Sequence, residues 1–396
     1  MWLTHRNRRC VELDDRVFQR LLTFYPEEEL VSRPVLSAAI RSGEIRKSDL
    51  VAEADKLFIP WQMFLLTWPN LRRHLQAIER ERRDKIDVGH LSTRSGARGA
   101  VPYRLIDRYI RAQRFLLESE AHSRNKFCGS LRGKSVPAAV AAIEQHFGIS
   151  RAAFWGRSTK GRAFDYLAGC IESGNVNVAL GTSEARLVPT TKNHKSLYKN
   201  VSGFCLKSPK VPFAFVHMNM ADTEEPAGRR IYTLMLLVVL IGLDIYTVTR
   251  DWRPGRTRAG RDAEHSPTAH RIVGEFLLPC SAFEHLEGRP VTRKTIDDLS
   301  DTYKLTPSAV TYRLWKASVI SREERDSLIT PSTPVKMKAR SPYIENAVRK
   351  LNGGLVVSAV NGAFSRHSIS QNQAQYVLFG RIRRPLWAKY RARVGI

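Results

Sequence analysis

Apolar residues recur at helical spacing through most of the chain, and only a few short stretches alternate. Leu13, Val17, Leu21 and Phe24 share one face of a first helix, with Asp14 and Asp15 in its first turn. Leu50, Ala54, Leu57 and Phe58 make the stripe of a second helix, which Ile59-Pro60 stops. Further on, Val136, Val140, Ile143 and Phe147 repeat at the same period, and Gly148 ends that helix. The stretch VPFAFVHMN instead alternates, with Phe213, Phe215 and His217 on one face and Val216 on the other, so a strand is predicted. A lone histidine at a strand end with no ligand spacing around it reads as structural.

Thr295–Ser321 predicts two helices around a tight turn. Ile296, Leu299 and Tyr303 line the first, Leu305 sits in the turn, and Thr306-Pro307 is a cap followed by proline at the first helical position. Val310 and Leu314 then point inward. Near the end of the chain, Leu355, Val356, Ala359, Val360 and Ala363 form a core face. Ser370 caps a helix that runs through Phe379 and ends at Gly380.

Leu234–Leu243 is apolar for ten residues without a break. A bilayer span needs roughly 20 such residues, so this run predicts a core helix and no membrane segment. Five cysteines, widely spaced and without a C-x-x-C pair, exclude a disulfide framework and a zinc ribbon. The basic start MWLTHRNRRC is followed by no apolar stretch, and the expectation is a cytoplasmic protein.

Charge changes the picture more than anything else in the composition. The 64 Lys and Arg against 38 Asp and Glu leave a formal +26, which favours a polyanionic partner through Coulomb attraction and counterion release. The excess is regional: twelve basic residues and one acid, Glu345, lie between Lys336 and Arg393. The stretch Arg82–Lys134 holds thirteen basic residues and five acids, and includes the glycine-containing RSGARGA, which reads as a linker or arm.

The segment Gly228–Asp244, GRRIYTLMLLVVLIGLD, resembles the metal-binding helix of the ImmA/IrrE metallopeptidase family. Gly228, Arg229, Thr233 and Leu234 fit the family lead-in to H-E-x-x-H. On that frame the two histidines fall at Leu236 and Leu240 and the glutamate at Leu237, and leucine offers neither a lone pair nor a proton acceptor. The family's third ligand falls at Ser266 or Thr268, a few residues before VGEFLLP, with Glu264 and Glu275 nearby. The resemblance also implies a strand at Asn177–Leu180 and two more at Gly203–Lys207 and Pro212–His217.

The expected fold is therefore α+β and mostly helical, a degenerate zincin-like core with a small β-sheet flanked by helical domains that include a helix-turn-helix. The expected divisions are a helical region at 1–80, a basic arm and helix at 81–134, the core at 135–290, the helix-turn-helix at 291–330 and a basic helical region at 331–396. No catalytic residue, metal or cofactor is expected.

Nucleic acid, DNA before RNA, is the expected partner, with a protein at the former cleft as a second. The candidate contacts lie in three places: Arg253, Arg256 and Arg258, near Trp252, between the two helices of the former site; Ser308, Thr311, Tyr312, Arg313 and Lys316 on the second helix of the pair; and Arg381, Arg383, Arg384, Trp387, Lys389 and Arg391 in the tail. Arginines and lysines there would meet phosphates, and Trp387 and Tyr390 would stack on bases. The family sits in mobile elements, stress-response and toxin–antitoxin loci, which implies a regulator or defence component. Two alternatives stay open: an antitoxin or immunity factor that binds an acidic protein, and a peptidase with displaced ligands.

Overall fold

The computed structural model describes residues 1–6, 8–22, 34–57, 59–88, 103–181, 201–217, 226–250, 267–329, 343–380 and 382–396. It is α+β and mostly helical, with two small mixed sheets among the described residues.

The chain opens with a strand pair where helices alone are expected. Strands β1 (Trp2–His5) and β2 (Arg8–Glu12) pair antiparallel, and β3 (Glu44–Arg46) lies parallel to β1 on its other side. All five residues of β2 are exposed, so the strand has no alternating apolar signature and is held by its backbone pairing with β1. Around this sheet are α1 (Asp15–Leu22), α2 (Pro34–Ser42), α3 (Lys47–Leu57) and α4 (Trp68–Lys85). Leu13, Val17, Leu21, Leu50 and Ala54 are buried as their periodicity predicts, and Phe18 packs on Phe64 at 5.5 Å. Phe24 and Phe58 lie outside the described residues.

Next come α5 (Tyr103–Ser119), α6 (Val136–Phe147), the short α7 (Arg151–Trp155) and α8 (Lys160–Ser173). Ser135 caps α6 and Gly148, at φ 60°, closes it. Strands β4 (Asn177–Gly181), β5 (Val201–Leu206) and β6 (Phe213–His217) lead to α9 (Pro226–Gly242), which carries the long apolar run. The fourth strand of the sheet, β7 (Val248–Arg250), precedes α10 (Pro267–Leu277). The order is β4-β6-β5-β7, with β4 parallel to β6 and the other two pairings antiparallel. Helices α11 (Arg293–Thr302), α12 (Pro307–Lys316), α13 (Arg322–Leu328), α14 (Ile344–Asn352), α15 (Gly354–Ser365), α16 (Gln371–Phe379) and α17 (Arg384–Val394) complete the chain.

The four-stranded sheet is buried on both faces, which positions everything else. Val178, Leu180, Cys205, Ala214 and Val216 point into one core, shared with α6, α8, α9, α10 and α12. Their strand neighbours Ala179, Phe204, Leu206, Phe213 and Phe215 point into the other, shared with α5 and α14 to α17. Alternation along each strand sends successive side chains to opposite faces, so two separate cores can share one thin sheet. Helix α9 lies close on β5, where a Cβ at Gly203 would stand 2.4 Å from the Phe215 carbonyl oxygen and 3.0 Å from Leu237 Cδ1. A side chain there would collide first with the β6 backbone, so glycine lets strand and helix approach this closely.

Polar side chains fasten the second face. Arg82 of α4 makes a bidentate pair with Asp107 of α5, at 2.8 and 2.6 Å. Buried Arg108 donates to Asn352 Oδ1 and to the Leu378 carbonyl, while Tyr109 Oη donates to the Leu351 carbonyl. Asn177 Nδ2 donates to the Asn352 carbonyl at 2.8 Å, and Glu172 accepts from the backbone N–H of Gly354. Between α14 and α15, Gly353 turns the chain at φ 86°, and a Cβ there would lie 2.3 Å from Asn177 Oδ1. The C-terminal helices are thus pinned to the sheet and to α5, far from them in sequence.

Candidate nucleic-acid interface

Helix α9 presents hydrocarbon where the family resemblance puts metal ligands. Leu237 is fully buried, Leu240 is 3% exposed and Leu236 is half-buried against the same core. Thr268 is exposed in the first turn of α10, and Ser266 and Glu264 lie outside the described residues. Glu275 is occupied by Arg313, and His270 Nδ1 shares a 2.7 Å hydrogen bond with Tyr232 Oη. Burial raises the Tyr232 pKa, so its hydroxyl stays protonated within that hydrogen bond. Among the described residues no three metal-ligating side chains converge.

The pair α11 and α12 forms with the predicted turn. Thr306 Oγ1 accepts from Ala309 N–H at 3.1 Å, Pro307 takes the first helical position, and Ile296, Leu305, Val310 and Leu314 are buried. Two of the expected contact residues are turned elsewhere. Thr311 is 1% exposed and donates to the Pro307 carbonyl at 2.8 Å, because its position places it on the buried face with Val310 and Leu314. Arg313 reaches back to α10, donating to the Leu278 carbonyl at 3.1 Å and pairing with Glu275 at 2.7 Å, so it ties the helix pair to the core. Ser308 is half-buried and hydrogen-bonded to Thr306. Lys316 is exposed and lies over Trp315 and Tyr312, with Arg325 on Trp315 at 4.3 Å. What remains on the surface is this small aromatic and cationic cluster.

The C-terminal helices present more charge. Residues 343–396 contain nine Lys and Arg and a single acid, Glu345. On α17, positions 387 and 390 face the core and the rest of the turn faces water, which leaves Arg384, Lys389 and Arg393 exposed. Arg349, Lys350 and Arg366 are exposed on the neighbouring elements. Between the start of α16 and α17 runs an open groove of about 700 Å³, lined by Gln371, Arg384, Trp387 and Arg391 among others. Arg391 spans its edge, donating to the Ile396 oxygen at 2.8 Å and lying over Phe364.

Stacking by the tail aromatics is corrected by the packing. Trp387 is 1% exposed and edge-on to Phe364 at 5.0 Å, and Tyr390 is fully buried with its hydroxyl on Asn361. Both belong to the core that α17 shares with α5 and the sheet, so neither ring is open to a base. Arg383 is half-buried at the α17 N-cap, its backbone N–H held by Gln375. Arg253, Arg256, Arg258 and Trp252, with Arg381 of the tail, lie outside the described residues. Arg393 and Arg366 were not among the expected contacts, although the i, i+4 spacing of Lys389 and Arg393 was a legible signal.

Comparison of the chain with protein-family models, with curated proteins and with solved structures finds no match.

Proposed function

We propose that this protein is a non-catalytic nucleic-acid-binding protein, a regulator or defence component built on a scaffold that resembles the ImmA/IrrE peptidases, and that α17 and its neighbours carry the phosphate contacts. One observation carries the reading: nine cations stand against one acid in residues 343–396, and Arg384, Lys389 and Arg393 project from a helix anchored by two buried aromatics. Cations on a rigid element keep their spacing, which suits the regular phosphates of a duplex. Burial of Trp387 and Tyr390 removes the stacking platform that single-strand binding uses, and so favours a duplex. The leucines at 236, 237 and 240 support the absence of peptidase chemistry, since a zinc-bound water needs ligands and a base that they do not supply.

The test is duplex DNA binding by fluorescence anisotropy at rising salt. The expected slope of log affinity against log salt falls by about 2 to 3 in the triple variant Arg384→Ala, Lys389→Ala, Arg393→Ala, because each lost phosphate contact removes roughly 0.9. A slope unchanged by the triple variant sinks the assignment to α17. Binding of an acidic protein with no duplex affinity at low salt sinks the nucleic-acid reading itself.

A further inference from the structure

The N-terminal sheet holds a second, smaller concentration of positive charge that the proposed interface does not use. Residues 1–88 are close to balanced, with 16 basic and 14 acidic residues, so a cluster of one sign there is a local arrangement and no consequence of overall composition. His5, Arg6, Arg46 and Lys47 line one open hollow of about 540 Å³ together with Thr4, Ser48 and Val51, and the Ser48 hydroxyl donates to Asp49.

The backbone explains the convergence. Strands β1 and β3 run parallel with Leu3 opposite Ile45 and Thr4 opposite Arg46, so their carboxyl ends emerge side by side. Helix α3 begins at Lys47, directly after Arg46, and β1 turns away through Arg6 at a left-handed φ of 51°. Ligands of open sheets sit beyond the carboxyl ends of parallel strands, and the aligned peptide dipoles of the helix that follows add to a field already positive there.

Arg6, Arg46 and Lys47 supply the charge of the hollow. Arg9 takes Glu44 at 2.7 Å, and neither Arg6 nor Arg46 makes an ion pair among the described residues. Lys47 lies over the Trp61 ring at 5.1 Å, which orients its ammonium without cancelling the charge. Like charges held around a concavity repel one another, and a small dianion placed among them removes that repulsion while accepting several charge-assisted hydrogen bonds. The hollow also has the size of a small-molecule site, roughly 300 to 1,000 Å³.

We infer that this hollow binds a phosphate monoester, supplied either by a free mononucleotide or by the phosphorylated end of a nucleic-acid strand. The site is independent of the proposed α17 interface. The full-length protein is titrated calorimetrically with inorganic phosphate and with adenosine 5′-monophosphate, and by anisotropy with one duplex carrying either a 5′-phosphate or a 5′-hydroxyl. At least one monoester probe is expected to bind, and the double variant Arg6→Gln, Arg46→Gln to weaken it by about 10-fold or more, as loss of two charge-assisted contacts predicts.

The same variant is expected to leave the 5′-hydroxyl duplex within about 2-fold, since exposed arginines outside the duplex contact do not enter that affinity. Both replaced side chains are exposed, so thermal melting is expected to be unchanged and serves as the folding control. Saturation by the mononucleotide alone assigns a free nucleotide, and preference for the phosphorylated end alone assigns a strand terminus. No binding of either monoester, or binding that the Arg6 and Arg46 variant leaves intact, overturns the inference. The mononucleotide arm reads this hollow even where duplex binding through α17 fails.

Discussion

The two faces of the central sheet are covered by helices of opposite chemistry. On one face α9 lays down Leu234, Leu237, Val238 and Ile241, all fully buried, and hydrocarbon contact does the joining. On the other face α5 and the C-terminal helices join through Arg82–Asp107, Arg108–Asn352, Asn177 and Glu172 as well as through an apolar core. Apolar contact is non-directional and tolerates sliding, whereas a buried hydrogen-bonded side chain accepts one register only. Polarity is therefore concentrated where segments distant in sequence must be held in one register. The face covered by α9 is joined by hydrocarbon, and the face that carries the basic helices uses polar side chains to hold them in place.

Reversing the chemistry of the apolar face is the largest expected disruption. Leu237→Glu buries a carboxylate among hydrocarbon, and a loss of about 4 kcal/mol or more is expected, enough to unfold a marginal domain. Leu237→Ala, which leaves a cavity and no charge, is expected to lose about 3 kcal/mol. Urea denaturation measures both, and a Leu237→Glu protein as stable as the parent would contradict a hydrocarbon-only face.

Breaking a pin on the polar face comes close behind. Asp107→Ala removes the bidentate partner of the Arg82 guanidinium, whose side chain is 9% exposed, and about 3 to 4 kcal/mol is expected to go. Replacing both partners, Arg82→Met with Asp107→Leu, is expected to recover most of that loss, because the penalty comes from keeping one buried charge after its opposite is gone. A double variant as unstable as the single one would mean that the pair itself stabilises the face. The contact between α12 and α10 is weaker: Arg313→Met is expected to lose about 1 kcal/mol, since the Arg313–Glu275 pair is partly exposed. A larger loss in the same urea series would place the helix pair among the pinned elements.

The smallest expected effect is a pH dependence that separates the faces. Burial raises the Glu172 pKa above its usual 4.5, against the lowering effect of the Gly354 and Val178 N–H groups it accepts from. The folded state then holds the proton more tightly than the unfolded chain, so this residue's contribution is full below pH 4.5 and is lost as pH rises through the folded value. Glu172→Gln carries no such dependence. The stability difference between parent and variant should therefore fall as pH increases from about 4.5 toward neutrality, by the linkage of proton binding to folding. A difference that stays flat or grows with pH would remove Glu172 from the burial argument.

Part of this organisation was written locally and was legible. Helix ends are readable at Gly148, at Thr306-Pro307 and at Ser370 and Gly380, since capping is an interaction between residues three or four apart. The strand Phe213–His217 followed from its alternation. The pinned face was not legible, because Arg108 and Asn352 are 244 residues apart and neither belongs to a motif. The basic tail was readable as charge, but Trp387 and Tyr390 looked like surface aromatics among arginines until their neighbours were known.

By itself the sequence determined the mostly helical α+β character, the apolar identity of α9 and the concentration of cations near the end of the chain, all of which follow from periodicity, capping and composition. Tertiary structure alone decided that the sheet is covered twice, that an all-exposed strand joins a second sheet beside α1, and which arginines are anchors and which face water. The physical reason is that secondary structure answers to neighbours along the chain, whereas the burial of a given side chain answers to whatever distant segment arrives to cover it.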